Sequence, residues 1–185
     1  MTKFEELHKL KDEMEKDDTL PLKKDAGKLV FGSGNTEATI VAIGEGPGAK
    51  ESIEGLPFVG QAGKLLDKLL DLAGLERKKV FITNIVHHRP PENRDPLPHE
   101  IEAYRKYLDK IIEIIKPKVI ITLGRFSMNK FLPDVKISEV HGKVFNIKDV
   151  KIVPMYHPAA SLRNGKILEA EKSDFEKLKN MVQLT

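Results

Sequence analysis

Four short stretches of this chain are apolar without interruption: Ile40 to Ile43, Val80 to Thr83, Val119 to Leu123, and the run around Ile152 to Tyr156. Such runs predict strands covered on both faces, the arrangement of a parallel sheet, because a half-exposed strand would alternate polar and apolar positions. Between them the apolar residues recur every three or four positions. Phe4, Leu7, Leu10 and Met14 predict an amphipathic helix over residues 3 to 16. Leu65, Leu66, Leu69, Leu70 and Leu72 predict one over 62 to 73 with Gly74 as its stop. Ile101, Tyr104, Leu108, Ile111, Ile112 and Ile115 mark a helix from His99 to Lys116, ended by Pro117. A short helix carrying Met128 and Phe131 and a closing helix over 169 to 182 complete the pattern. Residues 143 to 156 read as a hairpin whose second arm is the last core strand. Strands alternating with helices predict an α/β fold: a three-layer α/β/α sandwich with a mostly parallel central sheet of about four strands, in a single domain over residues 1 to 185.

The segments at the carboxyl ends of the strands are more informative than the strands themselves. The first strand ends in Gly44-Glu45-Gly46-Pro47-Gly48, and the loop runs on through Pro57-Phe58-Val59-Gly60 to Gly63, far beyond the roughly 2 to 6 residues a mechanical strand-to-helix connection needs. Phe58 reads as an exposed aromatic within that loop. Asn84 stands at the carboxyl end of the second strand and opens a proline-rich segment, residues 84 to 98, expected to hold a fixed path without helix or sheet. The last strand delivers His157-Pro158-Ala159-Ala160-Ser161-Leu162-Arg163. In open α/β sheets ligands bind beyond the carboxyl ends of the strands, so these three segments share one crevice. A Gly-rich loop alone would equally suit a phosphate or a tight turn. With an aromatic plate, an amide that both donates and accepts, and an imidazole beside it, the set suits a flat heterocycle: a nucleobase pocket.

Composition narrows the partners and cofactors. Lys and Arg number 31 against 28 Asp and Glu, for a net charge of +3, a slight lean toward polyanions. There is no cysteine, which excludes disulfides, zinc-finger sites and cysteine-ligated clusters. No apolar run approaches the length of a membrane span and the first residues carry no apolar export signal, so no membrane association and a cytoplasmic location are expected.

Gly44 to Gly48, the Gly55 to Gly63 segment with Pro57-Phe58-Val59-Gly60, Thr83-Asn84, Arg89-Pro90-Pro91 with Asn93-Arg94, Leu123-Gly124 and His157-Pro158-Ala159-Ala160 resemble, in order and spacing, the family 4 uracil-DNA glycosylases over roughly residues 29 to 165. The resemblance implies a DNA-repair hydrolase of base excision repair that flips uracil out of single-stranded or mispaired DNA, hydrolyses its N-glycosidic bond and leaves an abasic site. It implies that Phe58 stacks on uracil, Asn84 reads its edge, His157 stabilises the departing anion at O2, and Glu45, Glu51 and Asn93 complete the site. Gly46 stands where another uracil glycosylase family carries a water-orienting Asp, leaving Glu45 or anion stabilisation alone to serve. Arg89, Arg94 and Arg163 are expected to grip DNA, with Leu162 as a wedge and Ser161 beside it where the family more often has an apolar residue.

The family usually carries a four-iron, four-sulfur cluster on four cysteines. Here the corresponding positions are Asp17, Leu20, His88 and Tyr104, so the expectation is no cluster, no metal and no other cofactor, with packing around Leu20, His88 and Tyr104 holding the loop. A monomer is expected. Two other function classes remain: a non-catalytic nucleic-acid or nucleotide binding module on the same fold, and a flavin or nucleotide enzyme, which would need a phosphate loop opening directly onto a helix, where Pro47, Pro57 and Phe58 intervene.

Overall fold

A computed structural model describes residues 1–182. In chain order the elements are α1 (Lys3–Lys16), β1 (Ser33–Gly34), β2 (Ile40–Gly44), α2 (Ala49–Glu54), α3 (Gln61–Leu72), β3 (Phe81–Asn84), α4 (Pro98–Ile115), β4 (Val119–Leu123), α5 (Arg125–Phe131), α6 (Ile137–Val140), β5 (Phe145–Ile147), β6 (Val150–Met155), α7 (Pro158–Arg163) and α8 (Gly165–Val182). One sheet runs in the order β1-β3-β2-β4-β6-β5. Its four central strands are parallel and correspond to the four apolar runs.

The sheet has six strands rather than about four, because a short antiparallel strand is added at each edge. β5 is the first arm of the expected hairpin. β1 is two residues long, with Gly34 at a φ of 121°, and a segment so short carries no periodicity to detect.

Successive side chains of a strand point to opposite faces, and here both faces are covered. Val41 and Ile43 of β2, with Phe81 and Ile120, meet Leu7, Leu10 and Met14 of α1 and Tyr104, Leu108 and Ile111 of α4. Ile40 and Ala42, with Ile82, Ile121 and Met155, meet Leu66, Leu69 and Leu70 of α3 and Phe175 and Leu178 of α8. Each of these large side chains contributes about 1.5 to 3 kcal/mol on burial, which accounts for both helical layers. No helix among the described residues is long and apolar enough to cross a membrane.

Two local departures bear on the crevice. The long loop after β2 contains α2, six residues between Gly48 and a Gly55 held at a φ of 75°. The proline-rich segment holds a single 3-10 turn at Pro91–Asn93, in which Glu92 and Asn93 both adopt positive φ, 54° and 57°. α8 also begins earlier than expected, at Gly165.

Candidate active site

Beyond the carboxyl ends of β2, β3, β4 and β6 lies a cavity of about 560 Å3 whose walls include Glu45, Phe58, Asn84, Asn93 and His157. Its floor closes as it does because β2 stops at a residue without a side chain. A Cβ on Gly44 would stand 2.5 Å from the Asn84 carboxamide oxygen and 2.6 Å from the Phe58 ring, so only glycine lets both side chains close over the strand end.

Phe58 is not the exposed plate expected from its loop. It is buried, at a φ of 51°, with its ring 5.6 Å from that of His157 and the planes at 27°. Two contacts fix it. Arg77 donates to the carbonyls of Phe58 and Pro57 at 2.8 and 2.7 Å while pairing with Asp67 of α3 at 2.8 Å. Gly63 packs directly beneath the Phe58 carbonyl, where a Cβ would collide with it.

Asn84 is almost fully buried, and its Oδ1 has no hydrogen-bond partner. A buried acceptor left unpaired costs about 1 to 3 kcal/mol, a cost that a donor reaching this atom would relieve.

His157 caps α7: its Nδ1 accepts from the Ala159 amide at 3.0 Å. An imidazole accepting at Nδ1 carries its proton on Nε2, so it presents a donor while neutral. Burial first, and the nearby Arg163 charge second, push the His157 pKa down to about 4, which keeps the ring neutral at physiological pH.

Glu45 approaches His157 across Gly124, whose φ is 98° and whose missing Cβ leaves room for the Glu45 carboxylate on one side and the His157 Cβ at 3.2 Å on the other. Burial and the Asp95 carboxylate push the Glu45 pKa up to about 7, opposed by Arg125. Gly46 sits beneath the proline-rich segment, its absent Cβ replaced by the Val86 methyl at 2.9 Å and the Pro90 ring at 3.5 Å, so a larger residue there would displace the loop. Glu51, in the first turn of α2, also lines the cavity and accepts from the Gly60 amide at 3.3 Å.

The residues expected to face DNA divide into two groups. Leu162 is exposed and Arg163 is at the cavity rim. Ser161, by contrast, is buried and donates to Glu171 of α8, so its hydroxyl is not presented to a ligand. Arg89 donates to the Asn93 Oδ1 at 2.7 Å, and Arg94 forks onto Glu100 at 2.9 and 2.6 Å, so both hold the loop that carries Asn93. Arg77, Asp95, Arg125 and Tyr156 also shape the site. Sequence reasoning misses them because each lies in a charged run or at a strand end, where nothing local names its partner.

The four positions that correspond to cluster cysteines do not fit an iron-sulfur cluster. Asp17 accepts from Lys106 at 2.9 Å and Tyr107 at 2.6 Å, Leu20 is buried, and the His88 Nδ1 bonds the Tyr104 hydroxyl at 2.7 Å. One imidazole already engaged, with no thiolate in the chain, cannot stand in for four thiolate ligands.

The profile of the uracil DNA glycosylase superfamily matches residues 31–181. The type-4 uracil-DNA glycosylase of Archaeoglobus fulgidus is 46% identical over 166 residues, covering 85% of this chain and 83% of that protein. Those of Saccharolobus solfataricus and Sulfurisphaera tokodaii are 45% and 41% identical, each over at least 95% of this chain and 86% of the relative. With a match this long and a crevice built from the same segments that carry the motifs, the chain belongs to the uracil DNA glycosylase superfamily, within its type-4 branch.

Proposed function

We propose that this protein excises uracil from DNA by hydrolysing the bond between uracil N1 and the deoxyribose C1′. The observation that carries it is the convergence of Asn84, Phe58 and His157 on one cavity, with the Asn84 Oδ1 left as a buried, unpaired acceptor over the end of β2. Uracil N3–H donates to that oxygen, while the carboxamide NH2 donates to O4. Phe58 supplies the stacking surface.

As the N1–C1′ bond breaks, its electron pair moves onto the pyrimidine and charge accumulates at O2. The neutral His157 donates from Nε2 to that oxygen, the kind of preorganised donor that is typically worth about 2.7 to 4 kcal/mol in the transition state. Glu45, in its carboxylate form, orients a water toward C1′ and takes its proton as the C–O bond forms; the uracil anion gains a proton from solvent after release. Asn93 and Glu51 complete the pocket, Glu51 on the wall that meets the pyrimidine C5. Leu162 enters the gap left by the flipped base, and Arg163 meets the strand.

Single-stranded or mispaired DNA is the preferred substrate, since a base that is not stably paired costs least to extrude. We assign no cluster and no metal to the reaction. The buried contact of His88 with Tyr104 supports a structural role for that region without one. Action as a monomer in the cytoplasm belongs to the same reading.

Incubation with a uracil-containing oligonucleotide, followed by alkaline cleavage of abasic sites, tests the function directly. Strand scission at the uracil position is the expected result. Tight binding without scission would favour the non-catalytic module instead.

A further inference from the structure

The arginines of the crevice differ in how firmly their partners hold them. Arg94 is forked onto Glu100, whose side chain is 4% exposed and which also accepts the Leu97 amide at 2.8 Å. Withdrawing that guanidinium would strand a buried carboxylate, so Arg94 is committed to the fold. Arg125, the first residue of α5, is placed quite differently. It reaches across the cavity mouth to Asp95 in a single contact of 2.7 Å, and the two side chains are 60% and 63% exposed. An exposed single-contact pair contributes little and exchanges readily. Both residues line the same cavity as Glu45, and both lie near enough to that carboxylate to act on it, with opposite sign.

We propose that Arg125 is a phosphate contact for the DNA strand entering the crevice, and that Asp95 occupies this arginine until the strand displaces it. The inference rests on the glycosylase function above for its ligand, a phosphodiester. The chemistry favours the exchange. A phosphate accepts both guanidinium N–H groups of a fork, whereas Asp95 engages one in this geometry. The Asp95 carboxylate itself repels an approaching backbone, so the pair also weakens binding by polyanions that do not seat at Arg125.

The two partners should therefore behave oppositely, which a purely structural bridge would not. The measurement is fluorescence anisotropy of a single-stranded oligonucleotide carrying a reduced abasic site, titrated with the full chain over a series of KCl concentrations. Arg125→Ala is expected to weaken binding roughly fivefold and to make the slope of log K against log salt less negative by about 0.7, one phosphate contact on a single strand. Asp95→Asn is expected to tighten binding. If Asp95→Asn weakens binding as Arg125→Ala does, the pair is a structural tie and the proposal fails; an unchanged salt slope in Arg125→Ala overturns it equally. Because binding is read without turnover, a chain that binds the strand but releases no uracil would overturn the glycosylase function and leave the Arg125 assignment standing on its own result. A chain that binds no DNA overturns both.

Discussion

The Phe58 and His157 rings lie 5.6 Å apart with their planes at 27°, so the residue proposed to stack on the base and the residue proposed to stabilise its departure are packed against each other before any substrate arrives. Offset aromatic contacts of this kind contribute about 0.5 to 1.5 kcal/mol beyond area burial, enough to restrict the imidazole on one side while the Ala159 amide anchors it at Nδ1. The donor is thus oriented in advance, and preorganisation of this sort is what makes such a group count in the transition state.

His157→Ala should accordingly slow single-turnover uracil release by on the order of a hundredfold to a thousandfold, while binding to abasic product changes little. An unchanged chemical rate would remove His157 from the mechanism.

The pH profile separates the two groups. Burial holds the His157 pKa near 4, so it stays neutral and adds no inflection between pH 5 and 9. The Glu45 pKa is pushed up to about 7, and only its carboxylate form can accept a proton from water. Single-turnover rates should therefore rise with pH through about 7 and then level. Glu45→Gln should lose that inflection along with roughly a hundredfold in rate; a profile identical to that of the unaltered protein would sink the assignment of Glu45 as base.

For base recognition, the expected result is that Asn84→Asp loses most uracil release and gains detectable cytosine release. The added carboxylate oxygen repels uracil O4 but accepts from cytosine N4, and a site built around a hydrogen bond discriminates strongly against the wrong partner. Nothing bonds the Asn84 Oδ1, so the orientation of the amide is set by its packing over Gly44 and against the Phe58 ring rather than by a neighbouring polar group. Uracil release at the unaltered rate by the Asp variant would mean that Asn84 does not read the base.

Stability should respond at a carboxyl that lies behind α7 and outside the cavity lining. Glu171 is fully buried, with one oxygen bonded by Ser161 and the other unpartnered, and burial pushes its pKa up to about 7. A carboxyl whose folded pKa is raised favours the folded state most at low pH. Its contribution is complete below the unfolded value near 4.5 and is lost as pH climbs through about 7. Glu171→Gln mimics the protonated form, so denaturant titrations should show a fall in stability between pH 4.5 and 8 that is smaller than in the unaltered protein by roughly 3 kcal/mol. Parallel pH dependences in the two proteins would show that Glu171 titrates normally.

How much of this was legible in the sequence depends on whether the cause is local. The four parallel strands announce themselves because burial on both faces demands unbroken apolar runs, and α4 does so through a clean apolar stripe ended by Pro117. The position of the crevice is set by where those strands stop. The burial of Phe58 is not legible in this way, since it depends on Arg77, which is distant in sequence and sits in a charged run that reads as solvated surface. The same holds for Arg89 and Arg94: an arginine in a loop is equally suited to a phosphate and to a carboxylate, and only the tertiary arrangement chose Asn93 and Glu100. α2 has too few residues to show a period, and Ser161 gives no sign on its own that a glutamate of α8 lies above it.

The fork between Arg94 and the buried Glu100 ties the proline-rich segment to the first turn of an 18-residue helix whose own apolar face is sunk in the core. A segment anchored in this way travels only when that helix travels. It works as a doorpost rather than a door: swinging it away from the entrance beside Asn93 would leave the Glu100 carboxylate buried without its cation.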